Sequence, residues 1–221
     1  MRIKNLSLSA ISLVLAILVF VVSGALIKND VHGMGIAAIF VGVAMIAVAV
    51  LSLINFIFGK KDSFMLLPLL ALFVTLMIFS TVVTLSATSS SISSDDTTIL
   101  QLMILALSVV SLVFASKNKK WASICGLAVV LLTIYSSAAL VISSWGKIIE
   151  IKQATSSSES ALLAYHKNAW MALIPFIGNL VFLFYYTFNL VFGFKKVEEK
   201  VEVKEETKQI NEESKEVTNE Q

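Results

Sequence analysis

The sequence predicts an all-α fold: a polytopic transmembrane helical bundle of six spans, laid out as three out-and-back hairpins with both termini inside. Three observations lead there. Hydrophobic residues make up 57% of the chain and charged residues only 14%, against about 25% charged in a soluble domain. The apolar residues gather into six long runs, none of which holds Asp, Glu, Lys, Arg or His. Lysines collect in alternate connections between those runs.

A spanning helix takes about 20 mainly apolar residues, because each adds about 1.5 Å across a core of roughly 30 Å. The runs that qualify are 6–27, 34–58, 64–85, 99–115, 121–142 and 169–194. The fourth is the shortest. Continuous runs of this kind fit helices, not the alternating strands of a barrel.

The first span follows Arg2 and Lys4. Ser9, Ser12, Ala16, Val19 and Ser23 recur at a 3-4-3-4 spacing and leave one face narrow. A rival reading is a signal peptide, with the small pair Ser23 and Ala25 at cleavage-like spacing, but its apolar stretch exceeds the usual length of about 7–15 residues. On the second span Ala38, Gly42, Met45 and Ala49 form a second narrow face. Small faces let helices approach closely where lipid removes any hydrophobic drive to associate.

The third span has Pro68 near its start, where the missing donor matters little, and Thr81, Thr84 and Thr88 along one side. The fifth carries Thr133, Ser136 and Ser137. Such hydroxyls either pack closely and bond to their own helix or line a polar pathway. The sixth span is the least regular, with Pro175, Gly178 and Asn179. Proline removes a backbone bond, and an unpaired amide costs several kcal/mol in hydrocarbon. Asn179 is therefore expected to meet a partner helix, a water or a ligand. Tyr186 and Asn189 carry that polar character onward. Asn179, Tyr186, Asn189, Thr133, Ser137 and Thr81 make up the candidate polar contacts inside the membrane.

Orientation follows from lysine and arginine in the connections. One side collects Arg2, Lys4, Lys60, Lys61, Lys117, Lys119, Lys120, Lys195 and Lys196, and the other Lys28, Lys147, Lys152 and Lys167. The richer side is expected to be cytoplasmic. Trp121, Trp145 and Trp170 fall at the expected interfaces, where amphipathic rings are favoured. Residues 1–196 form the membrane domain. Within it 143–168 is expected to project on the outer face as two helices leaning together, the second opened by a capping box of Ser156 and Glu159. His32 and His166 are expected in outer loops. Residues 197–221 form a charged cytoplasmic tail, partly disordered for want of anything to bury.

The return spans end alike. Asn55, Ser111 and Asn189 each stand three residues before a Phe, with lysines beyond. At an offset of 57 residues Ser23, Ser80 and Ser137 also coincide. Internal repetition of the hairpin would explain both, and so would a small apolar alphabet with positive-inside endings.

Composition narrows function mostly by what it withholds. From Lys195 onward there are 6 Lys and 9 Glu, so an acidic tail follows a basic membrane body. Basic residues spread over short loops do not make a nucleic-acid surface. A single cysteine, Cys125, permits no intramolecular disulfide. The spans supply no acid, base or metal set, so no catalytic, cofactor-binding or metal-binding residue is expected, and the chain reads as a non-enzyme. Sixteen lysines to one arginine suggest an AT-rich bacterial genome, hence a plasma-membrane location. The expected partners are the bilayer and a membrane protein, either another protein or a second copy. The leading expectation is a protein acting through helix–helix or partner contacts, of accessory, stress-response or immunity type. The alternative is a permease, or its membrane-embedded binding subunit, for a neutral or apolar solute. No residue pattern is specific enough to assign a family.

Overall fold

The computed structural model describes residues 2–29, 31–58, 62–88, 94–117, 119–153 and 159–192. These hold six α-helices: α1 (Arg2–Lys28), α2 (His32–Phe58), α3 (Leu66–Thr88), α4 (Ser94–Ser116), α5 (Lys120–Gln153) and α6 (Glu159–Phe192), with a 3-10 turn at Asp62–Met65 before α3. The charged tail and the Ser156 end of the expected capping box lie outside the described residues.

Five helices are long and apolar enough to cross a membrane. The exception is α4. It is 23 residues long, and its described side chains begin at Met103, from which an apolar stretch runs to Ser116. Five of the six expected spans thus coincide, among the described residues, with helices of spanning length.

α5 and α6 are each 34 residues long, or about 51 Å at 1.5 Å per residue. Each therefore outruns a hydrocarbon core of roughly 30 Å. At the Gln153 and Glu159 ends they remain in contact: the Trp145 and His166 rings meet edge-on at 5.5 Å, and Ile148 is buried. Both histidines lie in helices, His32 opening α2 and His166 within α6, which corrects the expectation of loops. Their helices begin earlier than the apolar runs do, because hydrogen bonding continues through polar residues that hydropathy alone excludes.

α1 and α2 pack along their whole length. Their antiparallel register shows in two bonds between them: the Ser9 hydroxyl donates to the Ala49 carbonyl at 2.8 Å, and Ser23 to the Gly35 carbonyl at 2.7 Å. The narrow faces read from sequence are the packed ones, since Ser12, Ala16, Val19, Ala38, Gly42, Met45 and Ala49 are all buried. Bonds of this kind between membrane helices contribute about 0.6 kcal/mol on average.

α6 is the hub. Of its apolar window 61% is buried, against 11% for α5. It touches α1, α2, α3 and α5, and its Phe182 meets Phe73 of α3 edge-on at 5.7 Å. Two glycines make these approaches possible. A methyl group at Gly178 would overlap Leu76, and one at Gly126 would overlap the Tyr186 ring. α5 meets α6 along a seam of mostly small residues, Ser123, Gly126, Val130, Ser137 and Ser144, all buried.

The middle pair behaves differently. Among the described residues α3 and α4 touch only sparsely, while α4 leans on α5 and α3 on α6 and α2. A cavity lies beside that parting, closed by α5 and α6.

Candidate functional site

The gap between α3 and α4 is a cavity of about 610 Å³. α3 contributes Met77, Ser80 and Val83, and α4 contributes Met103, Ile104 and Leu107. α5 adds Leu132, Thr133, Tyr135, Ser136, Ser137 and Leu140, with Ala172 and Pro175 of α6 completing the lining. Leu132 stands 12 residues into α5, about 18 Å along it. The two lips, Met103 and Leu107 on one side and Leu132 and Tyr135 on the other, are all exposed. The cavity therefore opens sideways, onto the flank of the bundle.

Two predicted residues, Thr133 and Ser137, line this cavity. Their hydroxyls donate inside α5, Thr133 to the Val130 carbonyl at 2.8 Å and Ser137 to the Thr133 carbonyl at 2.9 Å. Thr81 lies beside the lining residue Ser80 but turns its hydroxyl onto the Met77 carbonyl at 2.8 Å. Asn179 does not reach the cavity. Its amide donates to the Pro175 carbonyl one turn back, at 2.7 Å, so its own helix supplies the partner expected from elsewhere. A half-buried amide can do this because its side chain is long enough to return to a carbonyl four residues earlier.

Tyr186 and Asn189 belong to a second place, at the end of the bundle where α1 begins and α6 finishes. Lys4 is 2% exposed. Its ammonium donates to the Asn189 side-chain oxygen at 2.5 Å and lies 5.5 Å from the centre of the Tyr185 ring. A cation over an aromatic face is attracted by the ring quadrupole. Asn5 and Asn55 are buried at the same end, and among the described residues the Asn5 oxygen, both polar atoms of Asn55 and the Asn189 nitrogen have no hydrogen-bond partner. Ser52 donates to the Met65 sulfur at 3.7 Å, tying the 3-10 turn to this end. Asn55, Ser111 and Asn189 are each buried within the last two turns of their helices.

Sequence reasoning put Lys4 among the loop cations; α1 instead starts early enough to carry it into the packed interior. The parting of α3 from α4 had no local signal, because each helix looks the same whether or not its neighbour in sequence lies against it. Outside the apolar stretches, Lys147 is paired with Glu150 at 2.7 Å, and that hydrogen bond holds the ammonium above its ordinary pKa. Among the described residues no three His, Cys, Asp or Glu side chains gather where they could hold a metal ion. No protein-family model, curated protein or solved structure matches this chain.

Proposed function

We propose that this chain is a non-enzymatic, six-span protein of a bacterial plasma membrane, with both termini cytoplasmic, that works by contact with another membrane protein. The observation that carries this is the outward face of α5. Ala139, Ser143 and Gly146 lie exposed at spacings of 4 and 3 residues and form a small-residue face on the far part of the helix, while Cys125 and Ala128 are exposed nearer its start, beyond the bulkier Leu132 and Tyr135. It is a different face from the seam that meets α6. Nothing stands within 4 Å of a methyl group built at Gly146. A stripe of small residues lets a second helix approach closely enough for dispersion contacts to hold it. The partner is a helix of another membrane protein, and an accessory, stress-response or immunity role fits such a contact.

The test is in-cell crosslinking of the tagged full chain, followed by mild extraction and identification of what is recovered. Wild type is expected to yield a stoichiometric membrane-protein partner, lost in Ala139→Phe and kept in Val21→Phe on the opposite flank. Recovery of a monomer alone would sink the proposal, and recovery of crosslinked copies of this chain would replace the partner with a homo-oligomer.

A second reading is a binding protein for a neutral or apolar solute, as a permease or its membrane subunit. The cavity between α3, α4, α5 and α6 favours it.

A further inference from the structure

The geometry points to the cavity between α3 and α4 as a seat for one acyl chain of a bilayer lipid. This rests on the chain being embedded in a membrane, and not on partner binding by α5.

Three observations lead there. The volume of about 610 Å³ falls within the range of small-molecule sites, about 300–1,000 Å³. The lips, Met103 and Leu107 facing Leu132 and Tyr135, are apolar or aromatic and exposed, so in a bilayer the mouth opens onto hydrocarbon. The lining is mostly aliphatic, and the Thr133 and Ser137 hydroxyls already donate to carbonyls of α5, which leaves the Tyr135 and Ser136 hydroxyls as the polar groups on the exposed α5 side. A cavity lined mainly by apolar groups favours an apolar occupant.

Shape separates the remaining candidates. A helix with its side chains is about 10 Å across, so this volume would hold only about one and a half turns of one. A slim, flexible hydrocarbon tail entering from the side fits where a helix does not. The cavity begins about 18 Å along α5, within a core of roughly 30 Å, which is the depth of the tails and not of the headgroups. The parting of α3 from α4 then has a physical account. A lipid tail supplies the dispersion contacts that the two helices do not make with each other.

The experiment uses the full chain reconstituted into phosphatidylcholine vesicles doped with a phosphatidylcholine that carries a diazirine on one acyl chain. After irradiation, adducts are mapped by peptide mass spectrometry. They are expected to concentrate on the segments holding Met77, Met103, Leu107 and Tyr135, and to fall at least five-fold in Ser136→Phe, which fills the mouth. Ser80→Phe, placed on α3, serves as the second filling variant should the first not fold, and Val21→Phe, on exposed α1 surface, should change nothing. Adducts spread evenly over lipid-facing residues such as Val14, Ile36 and Phe40, and indifferent to the filling variants, would overturn the seat while leaving membrane embedding intact. An absence of adducts on every helix would overturn both.

Discussion

Lys4 shows how much one residue's environment depends on its neighbours in space. Its ammonium is held by Asn189 and lies over Tyr185, both on the last helix, 185 positions away in the chain for the hydrogen bond. Removing one member of a buried polar pair leaves the other with its desolvation cost, about 1–3 kcal/mol. Asn189→Leu is therefore expected to lower stability by roughly that amount, read from thermal unfolding in mild detergent. Lys4→Met in the same background should recover part of the loss, because replacing both partners of this hydrogen bond by apolar groups leaves neither one deprived of it. Equal destabilisation from the double change would show that the tie contributes nothing. Glycines give a cleaner contrast. Gly126→Ala places a methyl into the Tyr186 ring, which is only 2% exposed, and overpacking of this kind costs about 1–3 kcal/mol. Gly24→Ala meets open space and should be neutral or slightly stabilising, since alanine is the better helix former by about 1 kcal/mol.

At the scale of the helix, α1 and α2 were legible and α6 only in part. The serine and small-residue spacing on α1 named the face that packs, because a 3-4 repeat stays on one side of a helix whatever surrounds it. Asn179 was legible as an anomaly, but its resolution was not. The choice between its own carbonyl and a partner depends on which rotamer the neighbouring helices allow. Since the Pro175 carbonyl accepts its proton, Asn179→Leu is expected to fold with a change below about 1 kcal/mol, within the range of volume-conserving changes at half-buried positions. A collapse of the thermal midpoint in that variant would mean that the amide holds something more than its own helix. The outward stripe of α5 was hidden for a related reason. Two small-residue faces share this helix, and only the position of α6 tells which one remains free.

For the whole molecule, the repeat is where sequence and structure part. Two hairpins are close-packed pairs, but α3 and α4 are not. Of the three serines that coincide by offset, Ser23 bonds across to α2, whereas Ser80 and Ser137 both line the cavity. The return-helix positions Asn55, Ser111 and Asn189 do share burial near their helix ends, so that half of the pattern has a common setting. Orientation belongs to this scale too. With Cys125→Ser as background, Gly33→Cys should react with a membrane-impermeant maleimide in intact cells and Lys119→Cys should not. The opposite labelling would invert the proposed topology.

By itself the sequence determined that the chain is helical and apolar, where its long runs begin and end, and which faces of α1 and α2 are narrow. Those properties follow from covalent order and helical period, which need no neighbour. Tertiary structure alone decided that α6 is the hub, that Lys4 is buried, and that α4 leaves α3 to open a cavity. In hydrocarbon the apolar faces of a helix are nearly equivalent to lipid and to one another. Which helix meets which is then settled by small differences in close packing, and those exist only once all the helices are assembled.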